Sequence, residues 1–362
     1  MMSADDLTTR DTDPDGARGG SSLSRLRKLA FGLAVVVGVL LTLEVSSRFL
    51  VNASANGRWS AHSRLVAGLG FPALNDILIE DDHAFWTLAP DLDGLELAGR
   101  FADGAALRFT VTTDRRGLRK MPPVIDAAHR IVFLGDSCTF GLGVDDEQTF
   151  PAEIQRAIPG AECVNLAVPG YTAFQGRRVF ERFSFDGRVD VVVITFGRND
   201  DLKWDGRSDI EHAVMLEDQR SSLLRHSRAA RLIGEALGGL TRKEASSAGG
   251  MRPRLTDDEF VEQIRAMIRY CRRIGATPVL VVWPLRVQLT REGMTAKQIA
   301  VVRTARIEHV PLVNLLPAFR AHADTPGLII DVVHAGPPGC SLVARTLVPV
   351  IEEALTARSS DR

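Results

Sequence analysis

Four short segments of this chain carry residue types that could do chemistry together. They are Gly135-Asp136-Ser137, Gly170, Gly197-Arg198-Asn199-Asp200 and Asp331-Val332-Val333-His334. A serine is a weak nucleophile until a base accepts its proton, and the neutral imidazole of His334 is such a base near neutral pH. A carboxylate at Asp331 would hold the other ring nitrogen and stabilise the imidazolium that forms. Ser137, His334 and Asp331 therefore predict a catalytic triad for cleaving esters.

The order of these segments distinguishes two kinds of serine enzyme. An α/β-hydrolase elbow needs Gly-x-Ser-x-Gly and an acid placed well before the histidine. Here Ser137 stands in Gly-Asp-Ser-Cys-Thr, and the acid lies in an Asp-x-x-His near the end of the chain. With Gly170 and a Gly-x-Asn-Asp segment between them, these motifs resemble the SGNH (GDSL-like) hydrolases over roughly residues 130–355.

The resemblance implies three donors for the oxyanion of a tetrahedral intermediate. They are the backbone N–H of Ser137, the backbone N–H of Gly170 and the side-chain amide of Asn199. A glycine lets the backbone approach substrate closely, and an amide donates without bringing a charge. Taken singly, Ser137 could instead cap a helix, Gly170 could be an ordinary turn glycine and Asn199 a turn asparagine.

The neighbours of these residues are assigned supporting roles. Asp136 is expected to accept hydrogen bonds from loop amides rather than to act as the triad acid. Asp200 is expected to brace the loop that presents Asn199. No motif marks Cys138 as an activated thiolate, and Arg198 fills a position that the family leaves variable.

The core alternates strands and helices, which predicts a parallel sheet with helices on both faces. Ser137, Gly170 and Asn199 each follow a strand, so they can meet beyond the C-terminal edge of the sheet. Resemblance implies the flavodoxin-like three-layer sandwich of SGNH hydrolases with strand order 2-1-3-4-5, within a catalytic domain at 126–358. The predicted strands are 130–135, 161–166, 189–196, 278–283 and a short one near 310–314.

An apolar stretch near the N-terminus predicts a transmembrane anchor at residues 29–45. Leu29 to Leu43 contains no charge, and basic residues precede it. The positive-inside rule then predicts a cytoplasmic tail at 1–28 and an extracytoplasmic catalytic domain at the cell membrane. The acidic composition of Met1 to Gly20 predicts that this tail is disordered. A cleaved signal peptide is the alternative, but no small-x-small site directly follows the apolar run.

Two further segments are expected to surround the core. Residues 52–125 predict a small β-rich appendage that braces the domain. Residues 201–257 form an insertion, with a predicted amphipathic helix from Ser222 to Leu237. Inserted segments often shape a substrate pocket, so the candidate substrate contacts, each equally explained by surface packing, are Trp204, Arg207 and, on the rim, Arg286.

Composition excludes some classes of protein. The 362 residues, 45% apolar and 25% charged, suffice for one large domain with additions. A net charge of −1 argues against a nucleic-acid partner. Four cysteines show no spacing suited to zinc, so neither a metal nor another cofactor is implied. They are expected to be free buried thiols, with pairing in an oxidising compartment as the alternative.

The sequence therefore predicts a serine esterase for carboxylic esters, carried on small molecules, glycans or lipids. O-acetyl groups of envelope glycans and lipid esters both fit a membrane-attached enzyme. An O-acyltransferase acting on an extracytoplasmic polysaccharide would use the same triad, and a noncatalytic envelope scaffold is the third class. The Ala, Arg, Gly and Val content is typical of a GC-rich bacterial source. The oligomeric state is left open.

Overall fold

The computed structural model describes residues 20–53, 72–100, 106–203, 206–221, 252–291 and 293–360. The chain divides into two units, one of Met1–Gly57 with Ser221–Gly238 and the other of Arg58–Arg220 with Gly239–Arg362. The second unit holds all the segments with predicted chemistry.

Helix α1 is the described part of the first unit. It spans Gly20–Ala53, and its segment Arg27–Ser46 is 20 residues long and apolar enough to cross a membrane. At 1.5 Å per residue, 20 residues extend about 30 Å, which matches the hydrocarbon thickness of a bilayer. Its large apolar side chains are exposed, as in Leu29 and Phe31, each 72% exposed. The predicted anchor at 29–45 lies wholly within this segment.

Five parallel strands form the central sheet of the second unit. They are β5 (His129–Gly135), β6 (Ala161–Asn165), β7 (Val191–Thr195), β8 (Thr277–Val282) and β9 (Leu312–Asn314). Their order is β6-β5-β7-β8-β9, which is 2-1-3-4-5 and confirms the predicted topology. Each strand lies within three residues of its predicted bounds.

Helices cover both faces of this sheet. The described helices after α1 are α2 (Ser137–Phe140), α3 (Phe150–Ala157), α4 (Ala173–Arg182), α5 (Asp209–Ser221), α6 (Asp257–Arg273), α7 (Ala296–Glu308), α8 (Leu316–Ala321) and α9 (Pro337–Ser360). Alternate residues of each strand point to opposite faces. Val132 therefore packs in the cluster that includes residues of α4, α6 and α7, and Ile131 in the cluster that includes residues of α3, α8 and α9. The three-layer sandwich is confirmed.

Two antiparallel hairpins precede the sheet. Strand β1 (Leu78–Asp81) pairs with β2 (Phe85–Leu88), and β3 (Leu95–Arg100) pairs with β4 (Ala106–Val111). Trp86 of β2 is fully buried and belongs to the same apolar cluster as α4 and α6. These hairpins fall within the β-rich appendage predicted at 52–125, of which residues 54–71 and 101–105 lie outside the described residues.

The predicted insertion at 201–257 is described only near its two ends. Residues 203 and 253 form an antiparallel bridge, and the Arg254 N–H donates to the Leu202 carbonyl at 2.8 Å. Helix α5 was not predicted, although Ile210, Ala213 and Val214 have helical spacing. The predicted helix Ser222–Leu237 lies outside the described residues, as does Trp204.

Candidate active site

Ser137 lies where β5 ends and the short helix α2 begins. Asp136 is the N-cap of α2, and its Oδ1 accepts a hydrogen bond from the Cys138 N–H at 2.9 Å. This is the loop-bracing role predicted for Asp136. Gly135 is required because a Cβ there would overlap the Thr139 side chain. Ser137 is thus presented at the C-terminal edge of the sheet in a sharply turned strand-to-helix connection.

His334 lies between Ser137 and Asp331. Its Nε2 is 2.7 Å from Ser137 Oγ, and its Nδ1 is 2.6 Å from Asp331 Oδ2. The other carboxylate oxygen, Asp331 Oδ1, accepts from the backbone N–H groups of Val333 and His334 at 2.8 and 2.7 Å. The Asp-x-x-His spacing therefore folds into a turn that aims the carboxylate at the imidazole.

Residues that follow β8 donate hydrogen bonds to the backbone of the 331–334 turn. Trp283 Nε1 donates to the Val333 carbonyl at 2.8 Å. The Arg286 backbone N–H donates to the Val332 carbonyl, and its Nη2 donates to the Ile329 carbonyl at 2.8 Å. Arg286, predicted as a rim contact for substrate, thus braces the turn. Its signal in the sequence was only its position just after a strand.

Gly170 lies in a turn after β6 and has φ of +82°. This left-handed region favours glycine, since other residues meet a Cβ clash there. Within the described part of the chain, no acceptor bonds the buried Gly170 N–H. That N–H is therefore available to a bound anion.

Asn199 is buried close to the same edge, and its Nδ2 donates to Asp136 Oδ2 at 3.2 Å and to the Tyr171 carbonyl at 3.1 Å. A primary amide has two N–H donors, so both are engaged. Both bonds are at the long end of the normal range. For Asn199 to donate to an oxyanion, one of these bonds must be exchanged.

Burial shifts the pKa values of the acidic groups around Ser137. It raises the pKa of Asp136, although the Cys138 N–H and His334 oppose the shift. For Asp331, burial would raise the pKa, but the hydrogen bond and charge of His334 and the backbone amides outweigh it and lower the pKa below its usual value. The lowered pKa keeps Asp331 ionised, as the acid of a catalytic triad must be.

Cys138 is adjacent to Ser137 but has the properties of an inert thiol. It is 5% exposed, and its Sγ lies 3.8 Å from the Val333 carbonyl. Burial, together with the charges of Asp136 and Asp331, raises the pKa of this thiol well above its ordinary value. All four cysteines are buried and free, in agreement with the expectation from sequence.

Asp200 is completely buried and joins two loops of the site. Its Oδ1 accepts from the Ala173 N–H at the start of α4 at 2.9 Å, and its carbonyl accepts from the Leu255 N–H. The other oxygen, Oδ2, has no hydrogen-bond partner among the described residues. Burial raises the pKa of Asp200 to about 7, in spite of opposing effects from Ala173, Arg254 and Lys297.

A mostly apolar cleft lies at the ends of β7 and β8, beside Asp136 and Cys138. Arg198 and Asp201 contribute to its wall, and its apolar lining includes Phe196, Val281, Trp283, Leu285 and Val333. Arg207, predicted as a substrate contact, is exposed just before α5.

Two buried side chains from outside the motifs reach the Gly170 turn. Trp86 Nε1 donates to the Pro169 carbonyl at 2.9 Å, and Arg254 Nη1 donates to the Gly170 carbonyl at 2.6 Å. Sequence reasoning missed both roles. No local pattern in the sequence indicates that Trp86 or Arg254 would reach this turn.

Comparison with known proteins adds a family match and several similar structures. The model of the GDSL-like Lipase/Acylhydrolase family matches residues 133–341. No curated protein matches the chain. An acetylxylan esterase from Geobacillus stearothermophilus is 16% identical, with a TM-score of 0.41 over 62% of this chain and 94% of that one.

Two further solved structures are similar at the same level. A lipase/acylhydrolase from Enterococcus faecalis is 18% identical, with a TM-score of 0.40 over 62% of this chain and 96% of its own. A member of the lipolytic G-D-S-L family from Veillonella parvula is 11% identical, with a TM-score of 0.41 over 62% and 98%.

Proposed function

Because the chain belongs to the GDSL-like lipase/acylhydrolase family of ester-bond hydrolases, we propose that it is a serine esterase that forms an acyl-enzyme at Ser137. The observation that carries the proposal is the continuous line of hydrogen bonds from Ser137 Oγ through His334 to Asp331, at 2.7 and 2.6 Å. His334 and Asp331 are only 12% and 8% exposed, so water screens these contacts weakly.

In the first half-reaction, Ser137 Oγ attacks the ester carbonyl carbon while its proton passes to His334 Nε2. The carbonyl π-electrons move to oxygen, and the N–H groups of Ser137 and Gly170 with the Asn199 amide stabilise that oxyanion. Asp331 stabilises the imidazolium without taking its proton. The C–O bond then breaks, and His334 returns the proton to the departing alcohol. Water repeats the sequence on the acyl-enzyme and releases the acid.

The Asn199 amide donates to the oxyanion by giving up one of its two present hydrogen bonds. That amide donates to Asp136 and to the Tyr171 carbonyl. A developing oxyanion carries more charge than a peptide carbonyl, so it competes well for one of these N–H groups. We assign Asn199 to the oxyanion on that basis, with the Tyr171 carbonyl as the partner that is exchanged and Asp136 as the partner that is kept.

The substrate proposed is a carboxylic ester on an envelope glycan or a lipid. The match to a family of lipases and acylhydrolases supports an ester substrate, and the apolar helix α1 would hold the enzyme at a surface that carries both kinds of ester. Transfer of the acyl group to a sugar hydroxyl instead of water would use the same acyl-enzyme, so the O-acyltransferase alternative shares every residue named above.

Hydrolysis of p-nitrophenyl esters of graded chain length by the detergent-solubilised chain tests this proposal. Ser137→Ala is expected to abolish nearly all turnover, because the nucleophile is lost. Its matched control is Cys138→Ala at the next position, which is expected to retain turnover. Activity that survives Ser137→Ala and disappears in Cys138→Ala would overturn the serine mechanism. Turnover only with an added sugar acceptor would favour transfer.

We further propose that α1 anchors the enzyme with its N-terminus in the cytoplasm and its catalytic domain outside. Arg25, Arg27 and Lys28 precede the apolar residues, and Glu44 follows them. Protease added outside intact spheroplasts is expected to degrade the catalytic domain. Protection until the membrane is broken would reverse the proposed orientation.

A further inference from the structure

The turn that carries the Gly170 N–H can exist in two forms. The Tyr171 N–H donates to the Val168 carbonyl at 3.2 Å, which closes a four-residue turn with Pro169 and Gly170 at its centre. A proline followed by a residue with φ of +82° makes this a type II turn. Type I differs by rotation of the central peptide, and Pro169-Gly170 accepts both forms. That central peptide is the one whose N–H is proposed to bind the oxyanion.

Trp86 donates a hydrogen bond to the carbonyl of that central peptide. Its Nε1 donates to the Pro169 carbonyl at 2.9 Å, and the residue is 0% exposed. In a trans peptide the C=O and N–H groups point in opposite directions. The indole therefore fixes the Gly170 N–H on the side of the turn that faces away from Trp86. In a type I turn the Pro169 carbonyl would leave this donor.

Arg254 holds the next peptide of the same turn. Its Nη1 donates to the Gly170 carbonyl at 2.6 Å, and its Nε and Nη2 bond the two oxygens of Asp209 at 3.0 and 2.7 Å. Both side chains are buried, at 0% and 1% exposure. Thr172 Oγ1 donates to the same Asp209 carboxylate at 2.7 Å. The Asp209 carboxylate thus fixes the orientation of the guanidinium that donates to the turn.

We propose that Trp86 and Arg254 are positioning residues for the oxyanion hole. Together they keep the 168–171 turn in its type II form and so aim the Gly170 N–H. This inference rests on the proposed esterase function, because it assigns Gly170 as an oxyanion donor. Trp86 lies in the hairpin of β1 and β2, and Arg254 lies near the C-terminal end of the insertion. Both segments therefore affect the chemical step through the Gly170 N–H.

Trp86→Phe tests the proposal in the full chain, because it keeps an aromatic ring and removes the donor to Pro169. We expect kcat to fall at least about tenfold with little change in KM, since loss of one oxyanion donor costs about 10²–10³ in turnover. The pH profile of kcat/KM should stay unchanged, because the His334–Asp331 pair is intact.

Thr113→Val is the matched control. Thr113 is 5% exposed, and its Oγ1 donates to the Ala89 carbonyl, just after β2, at 2.7 Å and accepts from the Leu92 N–H at 2.9 Å. The variant therefore loses buried hydrogen bonds beside the same hairpin but no bond to the 168–171 turn. We expect a lower melting temperature and a kcat close to that of the parent. An equal kcat loss in both variants would indicate general loosening and overturn the proposal.

A second substitution covers the case in which Trp86→Phe does not fold. Benzothienylalanine at position 86 keeps the size of the indole and replaces its N–H by sulfur, and the same kcat loss is expected. A folded variant of either kind with kcat within about twofold of the parent would overturn the positioning role. Failure of the esterase proposal itself would show differently, as activity that persists in Ser137→Ala.

Discussion

Replacing Asp200 with asparagine is expected to change how the stability of the protein depends on pH. Asp200 is completely buried, and burial raises its pKa from 3.8 to about 7. The carbonyl oxygen of asparagine can still accept the Ala173 N–H that Asp200 Oδ1 now accepts at 2.9 Å. The substitution therefore removes the ionisation and keeps the bond that braces the loop.

The size of the effect follows from the two pKa values. Between pH 3.8 and about 7 the folded protein holds this proton while the unfolded chain has lost it. The free energy of unfolding of the parent therefore falls as pH rises through this range, by about 4 kcal/mol at roughly 1.4 kcal/mol per pKa unit. Below this range Asp200 is protonated in both the folded and the unfolded protein, and above it Asp200 is ionised in both. Outside the range it therefore adds no further pH dependence to the free energy of unfolding.

Urea unfolding of the full chain in detergent, followed by tryptophan fluorescence from pH 4 to pH 8, measures this contribution. We expect the unfolding free energy of Asp200→Asn, minus that of the parent, to increase by a few kcal/mol across that range. Asp258→Asn, which changes an exposed carboxylate in the first turn of α6, is the control and should show a nearly constant difference. A constant difference for Asp200→Asn as well would refute the reasoning from burial.

Two other outcomes are expected. Asp331→Asn keeps an oxygen for the Val333 and His334 amides but presents an N–H₂ group to His334 Nδ1, which favours the wrong tautomer. The kcat for ester hydrolysis should fall by about 10⁴, less than in Ser137→Ala, and a loss under about tenfold would contradict the triad. Removal of Gly20–Ala53 should move the protein from the membrane fraction to the soluble fraction, and its retention in membranes would contradict the anchor.

The fold could be predicted from the sequence because its signals are local. Most sheet strands contain a short apolar run, such as residues 131–134 of β5, and alternate residues of these runs face different helical layers. The strand order came from the family resemblance rather than from the pattern. Helix α5 does not follow from the pattern, because the alternation of strands and helices breaks in the insertion that contains it.

The residues of the candidate site could be predicted from the sequence, but their hydrogen-bond partners could not. Ser137, Asp331 and His334 were named from their motifs, and the structure places them within hydrogen-bonding distance of one another. The motifs did not reveal that the Asn199 amide is engaged by Asp136 and the Tyr171 carbonyl. Hydrogen-bond partners of this kind depend on the three-dimensional approach of loops that are far apart in the chain.

What the sequence alone determined is the chemistry available and its order along the chain: a serine, an amide, an acid and a base, each after an apolar strand or close to the last helix. Only the tertiary structure decided the orientation and the pKa of the groups around them. Pro169-Gly170 permits two turn types, and the choice depends on a donor from Trp86, 83 residues away. The raised pKa of Asp200 likewise comes from burial. Both effects arise from surroundings that only folding assembles.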